Sequence, residues 1–176
     1  MQKKQQVEHD EVIGKCLAAF VHAGTLELSL DQLAAMAGTT KRMLIHYFGG
    51  REAIEERAMT LLEERLRAQF APDQFGKNTS FATVVDVLWK RTTAAESRGV
   101  LLLIMDLSRR AWNGSERAQR FYAEQQRLWI ELLLHFTKDK AYVEQVLQLF
   151  QGAVLAFLIT GNAERGRLAL RSLTSS

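Results

Sequence analysis

Residues 28–54 read LSLDQLAAMAGTTKRMLIHYFGGREAI, and this stretch decides the fold. Its local signals predict two short helices in quick succession. Ser29 and Gln32 have the spacing of a capping box, so a helix begins just after Ser29 and ends at Gly38. A further helix covers residues 41–48, and the two glycines that follow break it.

The spacing of Ala34, Gly38 and Leu44 predicts a helix-turn-helix. Two short helices joined by a few residues must cross at a steep angle, and Gly38 permits the tight turn between them. Ala34 is small enough to let the second helix approach the first, and Leu44 fills the angle from the other side. In the DNA-binding version of the motif, the second helix lies in the major groove with its N-terminal residues facing base edges.

The second of these helices carries donors suited to DNA. Arg42 can make the bidentate contact to guanine that is the commonest specific contact, and Thr39 and Thr40 can donate to phosphate. Charge alone is a weak argument, because residues 1–57 hold seven Lys and Arg against eight Asp and Glu, a net of −1. The alternative is an ordinary solvated face, so the prediction depends on the joint spacing.

The same stretch resembles the TetR family of transcriptional regulators. LDQLAAMAG at residues 30–38 and LIHYFGGREAI at residues 44–54 are similar to the family's Ile-Ala-x-x-Ala-Gly and Leu-Tyr-x-Tyr-Phe-x-x-Lys-Glu-x-Leu elements. The match covers the N-terminal part of the chain, and the remainder is only generically similar. The resemblance implies an all-helical homodimer that binds a double-stranded DNA operator.

The resemblance also implies roles for single residues. Tyr47 and Arg51 would contact phosphates, and the donors at the start of the third helix would face the groove. The chain departs from the family pattern where Arg42 replaces a common glycine, Met43 a common threonine and Ile45 a common tyrosine. We interpret these departures as an altered operator preference. The predicted DNA contacts are Ser29, Thr39, Thr40, Lys41, Arg42, Met43, His46, Tyr47 and Arg51.

Beyond this stretch the chain predicts an all-α protein. Pro72 is the single proline of the sequence, so helices can run long without the ring that breaks them. We expect about nine helices from the periodicity of apolar residues. The family resemblance implies that they divide into a three-helix DNA-binding domain, residues 1–50, and a helical bundle for ligand binding and dimerisation, residues 51–176.

The eighth predicted helix, residues 140–160, is apolar on more than one face. A helix that lines only its own core needs a stripe of about 100°. The excess is explained if a second surface packs against a partner chain, as in a four-helix bundle around a two-fold axis. The alternative is a helix central to one protomer. The predicted dimer contacts are Leu147, Phe150, Val154, Phe157 and Leu158.

By the family resemblance, an unknown small-molecule effector binds within the bundle. Large apolar side chains can line such a cavity, and methionine suits adaptable sites. The alternative is that these residues form plain core, and nothing in the sequence identifies the chemistry of the effector. The candidate ligand contacts are Trp89, Leu102, Met105, Trp112, Phe121 and Trp129.

The sequence argues against an enzyme. It has no His-Glu-x-x-His, Glu-x-x-His, Gly-x-Ser-x-Gly or glycine-rich phosphate motif. The sequence has a single cysteine, Cys16, so it has no cysteine cluster that could bind zinc. We predict that Cys16 is a small buried side chain. We therefore expect no catalysis, no metal and no cofactor.

The sequence predicts a soluble, cytoplasmic protein without a membrane partner. Residues 2–10 are mostly polar, unlike a signal peptide. The longest charge-free apolar stretch, residues 152–161, is far shorter than the roughly 20 residues of a membrane span. The rival to a regulator is a helical ligand-binding or adaptor protein whose helix-turn-helix has lost DNA.

Overall fold

A computed structural model describes residues 2–76 and 78–174, with side chains from residue 9 onward. Within those ranges the chain forms nine α-helices, two single-turn 3-10 helices at Pro72–Gln74 and Ala95–Ser97, and no strand. The prediction of an all-α fold with about nine helices is confirmed. The α-helices are α1 (Gln2–Ala23), α2 (Leu30–Ala37), α3 (Lys41–Phe48), α4 (Arg51–Gln69), α5 (Phe81–Thr92), α6 (Arg98–Trp112), α7 (Glu116–Leu134), α8 (Lys140–Thr160) and α9 (Ala163–Thr174).

The helices group into two compact units. The first unit consists of Met1–Ala68 and Gly99–Asn113, and the second consists of Gln69–Arg98 and Gly114–Ser176. Nearly all of α4 and α6 therefore belongs with the three N-terminal helices. The functional boundary between residues 50 and 51 stays a prediction.

The core of the first unit is built from the apolar stripes of its helices. Almost fully buried side chains come from all five: Phe20, Leu33, Leu44, Ile54 and Leu103. Cys16 is also fully buried, and burial raises the pKa of its thiol to about 11. The thiol is therefore protonated at neutral pH and packs as a small apolar group.

The core of the second unit is organised around Trp89. Its indole is 2% exposed, and its ring centroid lies 5.4 Å from that of Phe150 and 6.4 Å from that of Phe157. The indole N–H donates to the carbonyl of Ala163 over 3.0 Å. Glycine is needed at Gly166, because a Cβ there would lie 2.4 Å from the Trp89 ring. Burial on all sides is the arrangement of a core side chain.

Helix α8 contributes five buried side chains to this core, namely Val143, Val146, Leu147, Ala153 and Val154. Among the described residues it is the one helix long and apolar enough to cross a membrane, judged by length and composition alone. The core helix of a soluble protein passes the same test, so this property carries little weight.

Candidate nucleic-acid interface

Helix α2 begins with the predicted capping box. The Ser29 hydroxyl accepts a hydrogen bond from the Gln32 N–H over 3.2 Å, and the Gln32 side-chain oxygen accepts from the Ser29 N–H over 2.8 Å. Both groups satisfy donors that the first turn of a helix leaves unpaired. The hydroxyl of Ser29, a predicted DNA contact, is thus engaged in the cap.

The turn between α2 and α3 depends on Gly38. Its φ of +66° is in the left-handed region that glycine adopts without strain. The Thr39 N–H donates to the Ala34 carbonyl over 3.0 Å, which closes the C-terminal turn of α2. Ala34 and Leu44 are both buried at the crossing, where the spacing places them. The helix-turn-helix geometry is therefore present.

Helix α3 is well bounded. Its N-cap is Thr40, whose hydroxyl accepts from the Met43 N–H over 3.2 Å, and it ends at Gly49. The caps hold this eight-residue helix, which is too short to be stable in isolation. Both predicted phosphate contacts lie at the start of the helix. Thr39 is half-buried and Thr40 is exposed.

One face of α3 is open. The buried side consists of Leu44 and Phe48, and the exposed residues are Lys41, Arg42, Ile45 and His46. Lys41 lies 3.0 Å from Asp31 in an ion pair with both side chains more than half exposed. Such a pair is worth about 0–1 kcal/mol, so it is easily exchanged for a phosphate. Among the residues that the structure describes, Arg42 has no ion-pair partner.

Tyr47 is fixed on the flank of α3 by contact with α1. Its ring centroid lies 4.6 Å from that of His9 and 5.7 Å from that of His46. His9 also lies 5.9 Å from the Phe48 ring, and its buried Nε2 has no hydrogen-bond partner within the described residues. The contact of Tyr47 with phosphate stays a prediction.

Arg51, at the first position of α4, is held inside the first unit. It donates from Nη2 to the Leu26 carbonyl over 2.9 Å, and its Nε lies 2.9 Å from the Glu55 carboxylate as an ion pair without hydrogen-bond geometry. The side chain is 41% exposed. Contact with phosphate stays a prediction, and the structure adds a positioning role that the sequence did not suggest.

The backbone of Leu26, whose carbonyl accepts from Arg51, is also held at its N–H by Asp106 of α6. Asp106 Oδ2 accepts from the Leu26 N–H and from the Thr25 hydroxyl, each over 3.1 Å. Arg109 and Arg110 donate to the same carboxylate over 2.8 Å and 3.0 Å. We call Leu26, Asp106 that accepts from its N–H and Arg51 that donates to its carbonyl the Leu26 clamp.

The clamp changes the titration of its carboxylate. Burial by itself would raise the pKa of Asp106, because it penalises the charged form. Hydrogen bonds from Arg109, the Leu26 N–H, Thr25 and Arg110 outweigh burial and hold the pKa below its ordinary value. The charged form is therefore favoured where α6 meets the turn before α2.

Comparisons with known proteins agree with this architecture. No sequence-family profile matches the chain, and no curated protein matches it. A solved structure does match: a protein from Rhodococcus sp., assigned by its description to the TetR family of transcriptional regulators. The two share 17% identity with a TM-score of 0.73, over 95% of this chain and 96% of that chain. The chain has the TetR-family fold. At this identity the similarity extends to the fold alone.

The candidate ligand contacts are divided between the two units of this TetR-family fold. The first unit contains Leu102, Met105 and Trp112, and the second contains Trp89, Phe121 and Trp129. Trp112 is 90% exposed, so it lines no enclosed cavity in its own unit. Trp129 is half-buried, with its ring 4.8 Å from that of Phe70. Among the described residues no group of three metal-binding side chains occurs.

The candidate dimer contacts mostly pack within the second unit. Four of the five lie in its own core or on Trp89: Leu147, Phe150, Val154 and Phe157. Leu158 is half-buried. On α8 and α9 the exposed large apolar side chains are Leu155 (50%) and Ile159 (76%), one turn apart on α8, and Leu168 (58%) on α9. The exposed apolar surface on α8 and α9 therefore consists of these three residues.

Proposed function

We propose that this chain is a TetR-type transcriptional repressor that binds a near-palindromic operator as a homodimer. The observation that carries the proposal is α3, which is capped at both ends and exposes Arg42 beside Lys41 and His46. A helix-turn-helix dimer sets its two reading helices about 34–36 Å apart or at multiples of that distance. The operator then mirrors the two-fold symmetry of the protein.

Changing Arg42 to alanine is expected to abolish much of the discrimination between operator and random DNA. A bidentate Arg–guanine pair gives about 1–3 kcal/mol of discrimination, or roughly 5- to 150-fold per half-site. The measurement is fluorescence anisotropy of the full chain on duplex DNA from around its own gene, across a salt series. Affinity should fall as salt rises, because phosphate contacts release counterions.

Arg120→Ala is the matched control, because it removes the same charge from an exposed helix of the second unit. Its selectivity should equal that of the unchanged protein. If the unchanged protein ignores all DNA at low salt, the regulator proposal is wrong and the adaptor alternative stands. If Arg42→Ala keeps full selectivity, the bases are read by other residues.

The homodimer is proposed on the open apolar surface formed by Leu155, Ile159 and Leu168. These side chains lie on α8 and α9, which pack side by side in the second unit. A second copy of the same surface would cover them around a two-fold axis. The dimer contacts proposed here thus lie on an exposed face of α8, whereas Leu147 and Val154 are buried.

Replacing Ile159 by aspartate is expected to shift the protein from dimer to monomer. The substitution puts a charge at the most exposed apolar position of α8, where a partner would have to desolvate it. The measurement is light scattering after gel filtration at micromolar concentration. Met36→Asp makes the same change at an exposed apolar position of α2 and should stay dimeric. A monomeric unchanged protein would contradict the dimer.

We further propose that a small-molecule effector weakens DNA binding. A ligand that prefers a conformation with unsuitable helix spacing lowers operator affinity by the ratio of its affinities for the two states. Trp129, half-buried against Phe70, is the best placed of the candidate contacts. We propose repression rather than activation, because a protein can block a promoter by binding alone. The proposed location of the protein is the cytoplasm.

A further inference from the structure

Ile45 is the one large aliphatic side chain on the open face of α3. It is 43% exposed, although Leu44 and Phe48 already fill the buried side of the helix. One turn before it stands Arg42, and His46 follows it. The core therefore does not require an isoleucine at this position, and the exposed side chain lies within the surface proposed to face DNA.

The chemistry of the major groove limits what an isoleucine can recognise there. Base edges present hydrogen-bond donors and acceptors, and the one apolar group among them is the C5-methyl of thymine. Placed against a phosphate or a cytosine amino group, an aliphatic side chain displaces water without replacing its hydrogen bonds. A thymine methyl is thus the one partner that Ile45 can favour.

We propose that Ile45 reads a thymine in each half-site through its methyl group, beside the guanine read by Arg42. The inference rests on the proposed function and names part of the sequence recognised. Side chains three residues apart on a helix have Cβ atoms about 5–6 Å apart, and base steps along one strand are about 3.4 Å apart. The thymine and the guanine therefore lie within one or two base pairs of each other.

The test begins with the purified full chain and a pool of random duplexes, from which bound sequences are selected. Each thymine of the selected duplex is then replaced in turn by deoxyuridine, which removes only the methyl group. Anisotropy should show one position per half-site where the replacement weakens binding about fourfold. This is the loss of affinity expected when one buried CH₂ group is removed. Replacement in both half-sites should give about fifteenfold, since distant sites contribute independently.

The variant Ile45→Ala tests whether Ile45 causes the loss of affinity on replacement of thymine by deoxyuridine. In Ile45→Ala the thymine and deoxyuridine duplexes should bind equally, because the partner of the methyl group has gone. Ile45→Val is the matched control, since it keeps a branched apolar side chain and most of the sensitivity. Melting curves should show that both variants fold, as expected for an exposed position.

The outcomes separate this inference from the function on which it rests. Methyl sensitivity that is present in the unchanged protein and absent in Ile45→Ala supports the reading. Selective binding with no methyl-sensitive thymine, or with a sensitivity that persists in Ile45→Ala, overturns it and leaves the regulator in place. If no sequence is enriched from the pool, the proposed function is wrong and the inference is overturned with it.

Discussion

Replacing Trp89 by alanine should lower the free energy of unfolding by about 3–5 kcal/mol. The indole is almost completely buried between Phe150 and Phe157, so its loss leaves a cavity and removes the donor to the Ala163 carbonyl. For a chain of this size the melting temperature should fall by roughly 6–20 °C. Calorimetry or thermal circular dichroism measures the shift.

Trp112 provides the control, because it is the same residue type at 90% exposure. Trp112→Ala should change stability by less than about 0.5 kcal/mol. Equal losses in the two variants would show that burial is not the cause. A neutral Trp89→Ala would argue that the ring lines a space that solvent or a ligand can fill, as expected of a ligand contact.

Replacing Asp106 by alanine should destabilise the first unit by about 3 kcal/mol and weaken DNA binding. The change leaves the Leu26 N–H without its acceptor and Arg110, whose side chain is 22% exposed, without its nearest carboxylate. The turn before α2 is then held by Arg51 but no longer by Asp106. We expect the position of α3 to be less well fixed as a result. Thermal melting and anisotropy on the selected operator measure the two effects.

The pH dependence of the clamp has a definite sign. The pKa of Asp106 is lower in the folded chain than in the unfolded one, so its stabilisation is fully present above about pH 4. It is lost as pH falls through the lowered folded value. The stability difference between the unchanged protein and Asp106→Asn should therefore be constant near neutral pH and shrink below about pH 4. The exposed control Asp73→Asn should leave stability nearly unchanged throughout.

The helix-turn-helix could be predicted closely because its signals are local. Ser29 with Gln32 marks the start of α2, Gly38 its end and Gly49 the end of α3, and each signal acts over a few residues. The family fold could be recognised for the same reason. Which donors contact DNA still depends on a complex, so the individual contacts stay predictions.

The partners of side chains distant in sequence could not be predicted. The contact of Asp106 with Leu26 spans 80 residues, and the Asp106–Arg110 spacing indicates only an ion pair along one helix. On α8, periodicity shows that more than one side is apolar. It does not show that Val154 faces the core and Ile159 solvent, because both sides are equally hydrophobic in sequence.

Gly99–Asn113 belongs to the first unit, and this matters for the design of chimeras that carry the proposed DNA-binding unit into another protein. A chimera that carries Met1–Ala68 alone would lack the acceptor for the Leu26 N–H and the three buried leucines of α6, Leu101, Leu103 and Leu107. The unit proposed to face DNA is thus not one contiguous segment of the chain. An engineer who wishes to move its specificity must carry α6 with it, or exchange only the surface side chains of α3.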